Sequence, residues 1–261
     1  MSELVVRNSV KERLARGEVA SSMTVRLTRG IEIARLAATA GFDSLYVDLE
    51  HSSLSLETTS QICVAALDAG IAAFVRVPQL ELIGRVLDGG ALGIIAPDIR
   101  SADEARAVVR RAKYAPRGER GFANALPQFG FRSPPTRDAH AALDAATMVI
   151  VQFESAESIE RAEEIFAVEG VDMALFGTND LTADMGIAGE YEHPRVREAY
   201  ARAIAAAKQH GKHVGVGGLA TRPDLAAEFV RLGARYVSTG TDLAFLQAAC
   251  AAKAKQVREM T

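Results

Sequence analysis

The chain has no tryptophan, and only 6% of its 261 residues are aromatic. Rings cannot fill a large interior here, so the core must come from Val, Ile, Leu and Ala, which suits parallel strands buried beneath Ala-rich helices. Cysteine is scarce too. Cys63 and Cys250 are the two in the chain, with no C-x-x-C and no Cys/His cluster, which excludes a disulfide framework and a thiolate zinc site. Both are expected to be buried free thiols in a reducing compartment. No run approaches the roughly 18 uninterrupted apolar residues of a membrane span, and the opening MSELVVRNSVKERLARG lacks the apolar core of a signal peptide; a cytoplasmic protein is expected. Neither sign of charge dominates: 30 basic residues face 33 acidic ones, which gives no footprint for nucleic acid and no acidic tail.

What the chain has is regular alternation. Short apolar runs at 22–27, 44–50, 72–77, 92–97, 147–154, 171–177, 213–217 and 235–240 read as strands. Between them lie helix-period segments, from IEIARLAATAG through LETTSQICVAALDAG to DLAFLQAACAAKAKQV at the end, several opened by Ser, Thr or Asp and closed by Gly. Eight such pairs predict a single-domain (β/α)8 barrel of the usual length. The rival, a doubly wound sheet, lacks a G-x-G-x-x-G after its first strand. Residues 1–20 read as an N-terminal arm or helix, and 113–146 as a long loop of the kind that serves a site or an interface.

Side chains of a barrel strand alternate between the interior and the helix layer. If Leu45, Val47 and Leu49 face the helices, then Tyr46, Asp48 and Glu50 face inward, with His51 at the exit. Arg76 faces in from the third strand, and Gln152 and Glu154 from the fifth; Asp180 follows the sixth in the turn Gly177-Thr178-Asn179-Asp180. Charged groups thus gather at the strands' C-terminal ends, where barrel enzymes place their chemistry. A self-neutralising salt-bridge network accounts for Asp48 with Arg76. It accounts poorly for Glu154 beside Asp180, since adjacent carboxylates repel without a cation between them. Oxygen ligands of this kind suit Mg2+ or Mn2+.

Asp48-Leu-Glu50-His51, Val75-Arg76-Val-Pro78, Tyr114-Ala-Pro-Arg-Gly-Glu-Arg120-Gly121, Val151-Gln152-Phe-Glu154-Ser155 and Gly177-Thr-Asn-Asp180-Leu181 follow one another along the chain. Their order and spacing resemble the class II, metal-dependent pyruvate aldolases of the HpcH/HpaI aldolase/citrate lyase family. Among these are the 4-hydroxy-2-oxoheptanedioate and 2-dehydro-3-deoxyglucarate aldolases. The likeness extends over about residues 20 to 250. It implies a barrel of the phosphoenolpyruvate/pyruvate-binding type and a divalent metal, Mg2+ or Mn2+ with Co2+ as a third option, held by Glu154 and Asp180. Gln152 would lie beside the metal, the N–H groups of Asn179 and Asp180 would receive the carboxylate of a 2-oxo acid, Arg76 would stabilise the enolate, and His51 would be the base. The partners it implies are a 2-oxo acid, pyruvate or hydroxypyruvate, and an aldehyde.

The same resemblance pairs Asp88 with His51. Asp88 closes a helix at the face opposite the mouth, so the pairing requires a neighbouring subunit and hence a homo-oligomer, in this family a hexamer. The Arg117–Gly121 loop lies on that lower face as well and would serve a neighbour's site. No Lys occupies an inward strand position, against a Schiff-base mechanism; Lys113 and Lys212 precede strands. His140, His193, His210 and His213 read as surface or capping residues. Arg26 stands where well-known members carry an aromatic, which suggests an acidic or hydroxylated acceptor, or else a subunit contact; Asp98 would add a polar group near the mouth. The competing readings are a lyase of acyl-CoA thioesters, disfavoured by a chain that stops soon after its last helix, an oxaloacetate decarboxylase and a non-catalytic barrel.

Overall fold

A computed structural model describes residues 4–260. Eight parallel strands close on themselves in chain order: β1 (Ala20–Val25), β2 (Ser44–Asp48), β3 (Ala72–Arg76), β4 (Gly93–Ala96), β5 (Met148–Phe153), β6 (Met173–Phe176), β7 (His213–Val216) and β8 (Tyr236–Thr241). This is the (β/α)8 architecture that the alternation predicts. All eight expected strands form, each within about two residues of its expected start except where the runs extend past the ladder.

The helices are α1 (Ser9–Ala15), α2 (Glu32–Ala40), α3 (Leu56–Ala69), α4 (Leu82–Asp88), α5 (Ala102–Ala112), α6 (Thr136–Ala146), α7 (Ala156–Glu160), α8 (Ala162–Phe166), α9 (Thr178–Asp184), α10 (Pro194–Gln209), α11 (Pro223–Leu232) and α12 (Asp242–Arg258). Local chemistry sets their ends. Ser55, Ser101 and Ser155 cap α3, α5 and α7, and Gly41 and Gly70 close α2 and α3 in the left-handed region. None of the described helices is long and apolar enough to cross a membrane.

Parity holds. Leu45, Val47, Val75, Val149, Val151 and Phe153 pack outward against the helices. Tyr46, Phe74, Ile95, Ile150, Leu175 and Tyr236 fill the barrel interior. The lower end is stoppered by α1, whose Val10 and Leu14 join that inner cluster. Asn8 fixes the stopper: its side chain accepts from the N–H groups of Val10 and Lys11 and donates to the carbonyls of Leu92 and Ala146.

Three expectations change. The segment 113–146 is not a bare loop, because it contains a short 3-10 turn (Pro127–Phe129) and α6, and buries Tyr114, Leu126, Phe129 and Leu143 in a satellite core. His140 is not a surface residue: its ring stacks on Tyr114 at 4.1 Å. Cys63 is buried as expected, but Cys250 is exposed. It sits on α12, where Asp242 is the only buried residue and the Phe245 ring stacks on Phe42.

Asn8→Ala removes both an N-cap and two buried bonds to the barrel floor. We expect a loss of about 2 kcal/mol in unfolding free energy by urea titration, with the strands' secondary-structure signal retained in the folded baseline.

Candidate active site

Asp48 and Arg76 end neighbouring strands and face one another in register. Asp48 is wholly buried, and Arg76 forks onto it, Nε at 2.9 Å from Oδ1 and Nη2 at 2.7 Å from Oδ2. Burial alone would raise the Asp48 carboxyl, but the Arg76 hydrogen bonds and charge outweigh it and hold it below its ordinary value. Burial likewise opposes the Arg76 charge, and Asp48 overcomes it. The guanidinium lies 5.4 Å from the centre of the Tyr46 ring, and its Nη1 reaches Glu50 at 2.9 Å and Gln152 at 3.5 Å.

The same carboxylate shapes the turn that carries His51. Asp48 Oδ1 accepts the N–H groups of Glu50 and His51, and Arg26 donates from Nε and Nη2 to the His51 carbonyl at 3.0 and 2.6 Å. Arg26 is positioned in turn by Asp242, which accepts the N–H groups of Arg26, Leu27 and Thr28. The His51 ring is half exposed, 3.7 Å from Glu50.

Across the mouth, Glu154 leaves the end of β5. The N–H of Asp98 donates to its Oε2 at 2.8 Å, from a backbone turned to φ 47°, a left-handed conformation that is costly for a non-glycine residue. Gly177 gives the carboxylate its space: a Cβ there would lie 2.5 Å from Glu154 Oε1. Burial pushes the Glu154 carboxyl up to about 7; the Asp98 N–H pulls against this, and the charge of Asp180 adds to it. Asp180 lies in the first turn of α9, and the Asn179 side chain accepts from the Tyr191 hydroxyl at 2.6 Å. An all-oxygen pair in which one carboxylate is held above its ordinary value by burial and by its neighbour's charge suits a hard divalent cation. Among the described residues no three His, Cys, Asp or Glu side chains converge to hold an ion unaided, so other oxygens would have to complete its shell.

Six of the seven residues singled out from the sequence, His51, Arg76, Gln152, Glu154, Asn179 and Asp180, line one cavity of about 410 Å3. Asp98 lines an adjoining recess with Glu50, Glu154 and Asp184. The seventh, Asp88, does not join them: it ends α4, away from the mouth, with Oδ1 2.8 Å from Arg120. No lysine lines the cavity. Lys113 is buried elsewhere, its Nζ 2.7 Å from the carbonyls of Asp144 and Thr147, and burial pushes it down to about 8.

Four contributors escape the sequence reading in part or whole. Strand parity points Glu50 inward but does not reveal that it binds Arg76. Tyr191 and Asp242 act from loops or helix starts far along the chain. Gly177 matters for the side chain it lacks. No local pattern announces the last three.

An α/β barrel that gathers buried and half-buried carboxylates, an arginine and a histidine at its C-terminal rim has the architecture of a (β/α)8 enzyme. Comparison with known proteins narrows this. The model of the HpcH/HpaI aldolase/citrate lyase family matches residues 28–249, and the chain belongs to that family, which is named for carbon–carbon lyases. It is 42% identical to a 4-hydroxy-4-methyl-2-oxoglutarate aldolase of Hapsidospora irregularis over 81% of this chain and 80% of that one. It is 36% identical to a 4-hydroxy-2-oxovalerate aldolase of Rhodococcus jostii over 96% and 97%. The crystal structure of an HpcH/HpaI aldolase from Desulfitobacterium hafniense superposes with a TM-score of 0.90 at 31% identity, covering 97% and 98% of the two chains.

Raised from 4.5 unfolded to about 7 folded, Glu154 binds its proton more tightly in the native state. It therefore costs stability as pH rises through that window. Glu154→Gln in metal-free buffer is expected to be more stable than the parent by about 1–3 kcal/mol at pH 8, with the gap closing near pH 4.5. A difference that grows as pH falls would contradict the assignment.

Proposed function

We propose that the chain is a divalent-metal-dependent aldolase that cleaves and forms 4-hydroxy-2-oxo acids through the enolate of pyruvate or hydroxypyruvate. The observation that carries the reading is the carboxylate pair at the mouth. Burial and the charge of Asp180 raise the cost of ionising Glu154, neither carboxylate forms an ion pair with Arg or Lys among the described residues, and both line the same cavity as Arg76 and His51. Its relatives' names as aldolases of 2-oxo acids support the substrate class.

In this reading Glu154 and Asp180 hold Mg2+ or Mn2+, with Gln152 beside it. The cation supplies a Lewis acid that favours negative charge on the keto oxygen. The N–H groups of Asn179 and Asp180, free of intrahelical partners in the first turn of α9, receive the substrate carboxylate. Arg76 already gives Asp48 its Nε–H and one Nη2 proton; its second Nη2 proton donates to the keto oxygen as charge builds there. His51, on the exposed rim, takes the proton from the methyl carbon, and in the cleavage direction from the C4 hydroxyl. The rigid Asp48–Arg76 fork keeps the guanidinium from following the developing charge, so its field is set before the reaction.

The assembly is part of the proposal. Leu243, Leu246 and Val257 share one side of α12 and are exposed, an apolar stripe that a second copy would cover. A homohexamer whose sites lie between subunits would also bring Asp88 of the partner subunit against His51.

Exchange of the pyruvate methyl protons in D2O, followed by NMR, tests the chemistry without knowledge of the acceptor. We expect exchange with Mg2+ or Mn2+, none with EDTA, and none in Glu154→Ala. Exchange of neither pyruvate nor hydroxypyruvate would refute the reading and favour a CoA-thioester substrate. Arg26, which lines the cavity with its guanidinium against the His51 carbonyl, is assigned to an acidic acceptor. Arg26→Ala should lower kcat/KM about tenfold more for an acidic aldehyde than for a neutral one, and an equal loss for both would remove that assignment.

A further inference from the structure

The lower end of the molecule holds a second concentration of chemistry, centred on Asp88. Seven buried side-chain polar atoms lack a hydrogen-bond partner among the described residues, and four belong to this neighbourhood: Tyr114 Oη, Arg120 Nε, Gln128 Oε1 and His140 Nε2. Leaving such atoms dry and unpaired is costly.

The Arg120 side chain is 1% exposed, yet its partner Asp88 is 36% exposed. An ordinary surface pair exposes both members and contributes little; here the cation is enclosed and the carboxylate faces out. Arg120 Cζ lies 4.7 Å from the centre of the Tyr114 ring. That ring stacks on His140 with 4° between planes, and Phe122 meets both edge-on.

The backbone around Arg120 is equally constrained. The N–H of Gly118 bonds to the Tyr114 carbonyl, that of Glu119 to Arg110 and that of Arg120 to Lys113. A side chain at Gly118 would collide with the carbonyl oxygens of Lys113 and Arg110, so the loop lies flat on the end of α5. From the other side Gln128 Nε2 donates to the carbonyls of Leu87 and Ala91, clasping the turn that contains Asp88. Both the carboxylate's backbone and its Oδ1 are therefore fixed, and Oδ2 remains for a group arriving from outside the chain.

We propose that Arg120, seated on the Tyr114–His140 stack, is a positioning residue that orients Asp88 for contact with the His51 imidazole of an adjoining subunit. This rests on the reading of Asp88 given above, and it assigns the Tyr114–Gly121 segment a function at a distance from its own barrel's mouth. Arg120 touches no substrate; it acts through Asp88.

The test is a double-mutant cycle on the assembled protein, with Arg120→Met, Asp88→Asn and the combination. Arg120→Met should lower kcat about 10- to 100-fold, the range for loss of a residue that orients a catalytic imidazole. It should leave the KM of the 2-oxo acid within about twofold, preserve the oligomer on size exclusion and cause no further loss in the Asp88→Asn background. Arg120→Lys should restore part of kcat. If Arg120→Met does not assemble, Tyr114→Leu removes the ring beneath the guanidinium and should show the same non-additivity. Independent losses that multiply, or a normal kcat with lowered thermal stability, would overturn the role of Arg120. A normal kcat in Asp88→Asn would instead overturn the reading of Asp88 itself, and the two failures are distinguishable.

Discussion

The mouth of this barrel depends on one buried ion pair. Asp48 has no solvent contact, so its charge is tolerable because Arg76 forks onto it, Arg26 Nε approaches its Oδ2 at 3.3 Å and two backbone N–H groups donate to Oδ1. That requirement propagates. Meeting the carboxylate with N–H groups winds the turn that presents His51, and meeting it with Arg76 aims a guanidinium across the cavity. Remove Arg76 and the enclosed Asp48 keeps as counter-charge only the longer contact to Arg26, at 3.3 Å, a loss far more costly than that of a surface pair. Catalytic geometry and native stability are thus coupled through the same atoms.

Much of this was legible in the sequence because barrels obey a period. Inward and outward strand positions separate valines from charges, and that parity placed Asp48, Arg76, Gln152 and Glu154 correctly relative to the core. The turn after the sixth strand added Asp180, and the resemblance then supplied Asn179 as part of the same site. What stayed hidden acts across the chain. Asp242 caps a loop more than two hundred residues away, and Tyr191 holds Asn179 from a loop with no pattern of its own. The α6 helix escaped because it follows a proline-rich turn in a stretch that reads as connection, and His140 because an aromatic stack forms only after folding. Cys250 misled for the opposite reason: an Ala-rich helix looks buried, but α12 is exposed along most of its length.

The two ends of the barrel divide the work. At the top, carboxylates are spaced by glycine and fastened by backbone donors; at the bottom, α1 seals the interior and the 113–146 segment encloses Arg120. Each end uses a buried arginine to fix a carboxylate, Arg76 for Asp48 and Arg120 for Asp88. The difference is where the carboxylate points: Asp48 is enclosed, whereas Asp88 is presented outward.

Gly177 has a consequence for anyone altering this protein. Its φ of −92° is open to every residue, so by backbone criteria alone it is a safe position for the common glycine-to-alanine stabilisation. The added methyl would instead press on the Glu154 carboxylate. The glycine reserves volume, not flexibility, and a consensus or thermostability library that treats all glycines alike would disable the site while leaving the barrel intact.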